Sequence, residues 1–282
     1  MTSPDLLKRE FWQAFAPQLH IVDIEGLQRH PPVQMTTAQQ EVAAAQVRHE
    51  GYLQASIQWG LDLIPMVNAV RALSNADLSP AFAIVYDEFW IPYYRLHFML
   101  SGLLGDGYRL LPDFWVWNID PKKGGAGWTP HRDKGRRALF PDGSPKAVTV
   151  WIPLSPATPL NSCMYIVPAM HDPTYGTEDE KIWKFDYPSI RALPAQPGDF
   201  FIWNQAVLHW GSKSSTQGQE SRISMAVEFQ RGDIEPFNQP LIEPLKLLTF
   251  EARLKLVARQ ILQYKHMYSL SPSMERLAWS IL

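Results

Sequence analysis

The sequence predicts an α+β protein in which a mainly β core, a barrel or sandwich, is flanked by helices at both ends. Three observations predict it. Helix caps and breakers punctuate the first 110 residues, short β-branched and aromatic runs fill the stretch from Leu111 to about 232, and helical periodicity returns at Leu245. The chain shows no internal repeat or low-complexity tract. Residues 1–282 are therefore expected to form a single domain, with 1–110 helical, 111–232 the core and 240–282 C-terminal helices.

Ser3-Pro4 reads as an N-cap followed by proline, opening a helix to about Phe15. Leu19 to Met35 reads as irregular, broken by Pro31-Pro32. Thr37 with Gln40 reads as a capping box, starting a helix that runs towards Trp59 and stops at Gly60. A further helix covers Leu61 to Leu73. Ser79-Pro80 opens another, which Pro92 kinks or breaks and Gly105-Asp106-Gly107 ends. Strands are expected at 114–119, 147–152, 164–167, 200–203, 207–211 and 222–230, irregularly spaced, which favours a barrel or sandwich over alternating βα units. Leu248, Leu254, Val257, Ile261 and Tyr264 form one stripe of a helix over 245–264, and Ser271-Pro272 opens a last short one.

A net charge of −2 gives no reason to expect nucleic acid or an anionic membrane as a partner. The single cysteine, Cys163, excludes an intrachain disulfide framework and a cysteine-based zinc cluster, and a cytoplasmic location is the expectation. Asp5, Lys8, Arg9 and Glu10 argue against a signal peptide, and Asp87, Glu88, Arg95 and His97 interrupt the most apolar stretch, so no membrane span is expected. Eleven tryptophans imply a large aromatic core, an aromatic-walled pocket, or both.

Chemistry concentrates in His131-Arg132-Asp133, His209 and Arg222-Ile223-Ser224. In extended backbone His131 and Asp133 point the same way and Arg132 points away. Two imidazoles and a carboxylate suit Fe(II) and leave positions free for a co-substrate and oxygen. The alternatives are an exposed polar turn beside Lys134-Gly135-Arg136-Arg137 and, for His209 in an apolar run, a satisfied core histidine. Arg222 and Ser224 share a strand face with Ala226 and Glu228. A guanidinium with a hydroxyl beside it matches a carboxylate; the alternative is a salt bridge to Glu228 or another acid.

Across about 113–231 the chain resembles the Fe(II)/2-oxoglutarate-dependent oxygenases, most closely the phytanoyl-CoA dioxygenase family, which includes ectoine hydroxylase. The resemblance rests on Gly127-Trp128-Thr129-Pro130-His131-Arg132-Asp133, on the core strand from Ala147 to Leu154, on Asn161 to His171, and on Gln196-Pro197-Gly198-Asp199 leading to His209, with Arg222 following. Ser162, where glycine is usual, and Ala169-Met170 before His171 depart from the pattern. The resemblance implies a double-stranded β-helix (jelly-roll, cupin-like) with His131, Asp133 and His209 as iron ligands. It implies Fe(II), 2-oxoglutarate and O2 as cofactor and co-substrates, with Arg222 on the distal carboxylate and Ser224 assisting. Asn118 matches an amide that contacts the co-substrate, and Thr149 and Trp151 fall on one strand face that could line its pocket. Asp133 disfavours halogenation, since related halogenases lack that carboxylate.

The function implied is oxidation of a C–H bond of a small-molecule substrate, with hydroxylation as the default and desaturation or ring closure using the same residues. A non-catalytic ligand-binding barrel and a metal enzyme that does not use 2-oxoglutarate are the rival readings. Oligomeric state and substrate identity are not written in the sequence.

Overall fold

Two antiparallel sheets pack face to face, and the helices cover one side of the larger sheet. The structure, a computed structural model, describes residues 3–266 and 270–282. A 3-10 turn at Ser3–Leu7 precedes helix α1, Arg9–Phe15. There follow α2 (Ile24–Gln28), α3 (Thr37–Glu50), α4 (Ile64–Asn75), α5 (Ile91–Arg95) and α6 (His97–Leu104). The strands are β1 (Tyr52–Ser56), β2 (Arg109–Ile119), β3 (Ala147–Pro153), β4 (Met164–Val167), β5 (Arg191–Leu193), β6 (Asp199–Asn204), β7 (Leu208–Gly211) and β8 (Arg222–Gln230). Helices α7 (Phe250–Gln263) and α8 (Pro272–Ile281) close the chain.

The larger sheet has the order β1-β6-β3-β8-β2 and the smaller one β5-β4-β7. Period-two alternation divides the larger sheet cleanly. Val148, Val150 and Ile152 of β3 and Ile223, Met225 and Val227 of β8 face the helices and join their core. Trp115, Trp151, Phe201, Trp203 and Ala226 face inward and pack with Met164, Ile166 and Leu193 of the smaller sheet. Thus the helix-facing side anchors the sheet, while the inward side is free to build a site. Helix α7 is fixed by Arg253, whose guanidinium is wholly buried, pairs with Asp87 at 2.6 Å and donates to the Val85 carbonyl.

The structure departs from the sequence reading in several places. The capping box is Thr36 with Gln39, one residue earlier than expected. Helix α3 stops at Glu50 because Gly51 takes φ +83°, a left-handed C-cap, and a Cβ there would meet Val207. The expected helical stretch beyond it is instead β1, whose register pairs Tyr52 with Trp203 on the edge of the sheet. Asp23 caps the short α2 inside the segment read as irregular, accepting from Gly26 N. The residues after Ser79 form a 3-10 helix, Pro80–Val85, and Pro92 sits in the first turn of α5, where its missing N–H costs nothing. Thr249 caps α7, so that helix begins five residues later than expected. Among the described residues no helix is long and apolar enough to cross a membrane.

Candidate active site

The site sits where the segment before β3 crosses β7. Residues 126–131 run antiparallel to 209–213, with isolated bridges at Ala126–Lys213 and His131–His209. His131 and His209 exchange both backbone hydrogen bonds at 3.0 Å, so the two imidazoles start from directly opposed positions. This crossing is tight. A Cβ on Gly127 would lie 2.6 Å from the Gly211 Cα. Ser162, at φ +73°, accepts from Gly127 N at 3.1 Å and supports the same crossing. The left-handed backbone there gives the physical reason a glycine would be usual at that position.

Asp133 completes the cluster. Its Oδ1 lies 3.5 Å from His131 Nε2 and 3.6 Å from His209 Nε2. One donor atom from each of the three residues falls within 4.8 Å of the others. The remaining nitrogens and oxygen are already spoken for. His131 Nδ1 is 2.7 Å from the Thr129 carbonyl, and His209 Nδ1 is 3.1 Å from the Val207 carbonyl. Each Nδ1 therefore carries the proton, and each Nε2 keeps its lone pair for a metal. Thr149 Oγ1 and Trp203 Nε1 both donate to Asp133 Oδ2, at 2.8 and 3.0 Å, which leaves Oδ1 facing the imidazoles. Burial acts against the charge on Asp133, but His209, His131 and the Thr149 hydroxyl together hold its carboxyl well below the usual carboxylate range. Burial pushes His209 down to about 4, so it stays neutral. Burial also acts against His131, yet the hydrogen bond and charge of Asp133 leave it raised. One hard oxygen, the neutral His209 imidazole and the His131 imidazole once it gives up its proton to a metal lie on one side of an open space and are a donor set that fits Fe(II).

That space is walled by Trp115, Trp117, Trp128, Trp151 and Trp203. Arg222 closes one side. It is 2% exposed, its Nη1 donates to Ser224 Oγ at 2.9 Å, and its guanidinium carbon lies 5.5 Å from the Trp151 ring centroid. Its Nε has no partner, and no carboxylate among the described residues forms an ion pair with it. Glu228, the acid on the same strand face, is taken by Lys134 at 2.8 Å. Burial drives the Arg222 pKa down to about 10, which leaves it charged at neutral pH. A buried, unpaired cation is costly, and an anion entering the cavity would relieve that cost.

The structure thus brings His131, Asp133, His209, Arg222, Thr149 and Trp151 to one cavity, with Ser224 bonded to Arg222. The Thr149 hydroxyl, however, is spent on Asp133 and also accepts from Gln205 at 3.3 Å. Asn118 is a correction. Alternation turns Trp115 and Trp117 inward and Asn118 to the helix side, where it donates to Ser74 Oγ on α4 at 3.0 Å. Sequence reasoning missed the Trp203 donor, although its alternation with Phe201 marked the inward face. It also missed Arg132, whose buried guanidinium pairs with Asp172 at 2.5 Å and donates to the Ala206 and Glu180 carbonyls. Arg132 thereby ties the turn between two candidate ligands to the turn before the third.

The sequence profile of the phytanoyl-CoA dioxygenase family matches residues 35–224, more than half of the chain. The chain belongs to the phytanoyl-CoA dioxygenase family. With membership come a non-haem Fe(II) centre and the co-substrates 2-oxoglutarate and O2. No curated protein sequence matches the chain. Among solved structures, the fold is shared with the non-heme monooxygenase ThoJ in its apo form (TM-score 0.55, 13% identity, covering 84% of this chain and 99% of that one). It is shared with SnoN, a non-heme alpha ketoglutarate dependent epimerase from nogalamycin biosynthesis (TM-score 0.53, 19% identity, 76% and 95%). AviO1 from Streptomyces viridochromogenes Tue57 is also similar (TM-score 0.51, 15% identity, 73% and 100%).

Proposed function

We propose that this family member hydroxylates a C–H bond of a small-molecule metabolite, with His131, Asp133 and His209 holding the iron and Arg222 holding 2-oxoglutarate. One observation carries the reading: a complete His-Asp-His donor set shares an aromatic-walled cavity with a buried arginine that has no counter-charge. SnoN, whose fold is shared, has been solved with Fe3+, alpha ketoglutarate and nogalamycin RO, which supports a small-molecule substrate here.

When bound, the iron with its co-substrates supplies an oxidant able to remove a hydrogen from a C–H bond, and 2-oxoglutarate leaves as succinate and CO2. The protein's part is positional. Thr129 and Val207 carbonyls fix both imidazole rings and their tautomers. Thr149 and Trp203 fix the rotation of the Asp133 carboxylate. Arg222, steadied by Ser224, offers its guanidinium to the far carboxylate of the co-substrate. The tryptophan walls exclude water from a reactive site.

The test is a mass-spectrometric search of metabolite pools incubated with Fe(II), 2-oxoglutarate and air. Wild type should yield a product heavier by one oxygen together with succinate, and His209→Ala should yield neither. A product formed equally well by the variant, or formed with zinc in place of iron, would point to a different enzyme class.

A further inference from the structure

Two cavities meet at the candidate ligands. His131 and Asp133 line both the inner, tryptophan-walled cavity that holds Arg222 and an outer cleft of about 830 Å³. If the inner cavity takes the co-substrate, the outer cleft is the remaining approach to the metal.

The far wall of this cleft is the segment around 178–183, and it is strapped to the ligand turn. Arg132 donates to the Glu180 carbonyl and pairs with Asp172, the Glu180 carboxylate accepts from Arg136 N at 2.5 Å, and Arg136 pairs with Glu178 at 3.2 Å. Gly135, at φ +62°, makes room for the Glu180 carboxylate, which would clash with a Cβ there. The strap fixes Lys181 and Trp183 at the mouth of the cleft.

The charges lining the cleft are unequally satisfied. Glu180 is engaged by backbone, and Lys134 is paired with Glu228. Lys181 and Arg137 are exposed and form no ion pair among the described residues. Trp183 leaves 51% of its surface exposed. Two cations without a carboxylate partner among the described residues, Arg137 also lying 5.8 Å from the Phe237 ring centroid, share the cleft lining with an open indole and form a surface complementary to an anion on a flat or apolar body.

We infer that this cleft binds the oxidisable substrate, and that the substrate carries an anionic group, carboxylate or phosphate, on a planar or apolar body. Lys181 and Arg137 hold the anion, and Trp183 packs against the body. The inference rests on the proposed oxygenase reading for the role of the cleft, but its binding chemistry is tested separately.

Saturation-transfer NMR on the full chain, with zinc and 2-oxoglutarate present to fill the inner site without turnover, reads that chemistry directly. The probes are phenyl phosphate, benzoate and benzamide. At least one anion should receive saturation fivefold or more above benzamide, and the stronger anion identifies phosphate or carboxylate as the group preferred. Lys181→Glu with Arg137→Glu should lower the anion signal at least fivefold, and Trp183→Ala should lower it as well. Benzamide matching both anions, or a charge-reversed variant that keeps the full signal, would overturn the inference. Calorimetric titration of 2-oxoglutarate into both proteins keeps the two questions apart. No binding to wild type counts against the oxygenase reading, whereas equal affinity in wild type and variant shows that a lost anion signal comes from the cleft and not from misfolding.

Discussion

Thr149 Oγ1 lies 2.8 Å from Asp133 Oδ2, and that contact decides which oxygen of the carboxylate faces the two imidazoles. Outer hydrogen bonds of this kind typically change metal affinity by roughly 10–100-fold. Thr149→Val keeps the shape and removes the donor, leaving Trp203 as the one remaining donor to Oδ2 among the described residues. Fe(II) affinity, measured anaerobically by competition with a chelator, should fall by roughly 10-fold or more. An unchanged affinity would mean that Trp203 alone orients the carboxylate.

Arg222 makes a prediction of opposite sign for stability and for binding. Its charge is buried without a counter-charge, so Arg222→Met should raise the denaturant midpoint of the ligand-free protein. The same change should remove the thermal stabilisation that 2-oxoglutarate confers on wild type, because losing one partner of a buried charged contact costs about 2–5 kcal/mol. A variant that is less stable when free would show that the guanidinium is not strained by its isolation.

Arg132 should behave as a structural tie. Arg132→Met leaves Asp172 buried and unpaired, and breaking a buried pair in this way costs about 3–5 kcal/mol. Urea unfolding checks this. Adding Asp172→Asn should recover part of the loss, since the stranded charge is then gone. Strict additivity of the two changes would argue that the pair is not coupled.

The two histidines should respond to pH in opposite senses in the metal-free protein. His209 has a folded pKa of about 4, below its unfolded value of about 6.5. The unfolded chain therefore binds more protons between these values. The stability contributed by His209 is complete above about pH 6.5 and is lost as pH falls towards 4. His131 is raised, so its contribution is present below about pH 6.5 and is lost as pH rises through its folded value. For metal binding, only His131 competes with protons near neutrality. Zinc affinity should fall ~tenfold per pH unit below the His131 pKa, with release of one proton. A slope of two protons near pH 6 would mean that His209 is not held neutral.

How far the sequence carries the structure depends on where the information sits. Strand alternation placed Arg222 with Ser224, and Thr149 with Trp151, on shared faces, and the sheet keeps those faces. The same alternation, applied to Trp117 and Asn118, turns Asn118 to the helix side, whereas the resemblance that implied a co-substrate role for it carries no information about which face it takes. Strand β1 was illegible because Tyr52–Ser56 has little β-branched character and becomes a strand by pairing with β6. The sequence reading ends α3 at Gly60, but the left-handed cap that stops it is the earlier glycine, Gly51. Strand β5 is three residues long and exists through its pairing with β4. The Arg132–Asp172 tie joins residues 40 apart in sequence, with β3 and β4 between them, and no local pattern announces it.

The central claim is that a His-Asp-His iron site and Arg222 act on one co-substrate in one cavity. Anaerobic calorimetry of 2-oxoglutarate into Fe(II)-loaded protein tests it most directly. The account predicts one site per chain in wild type, no detectable binding without metal or in Asp133→Ala, and at least a 30-fold loss in Arg222→Met, given about 2 kcal/mol or more for the contact. Binding that persists unchanged in Arg222→Met, or that ignores the metal, would contradict it.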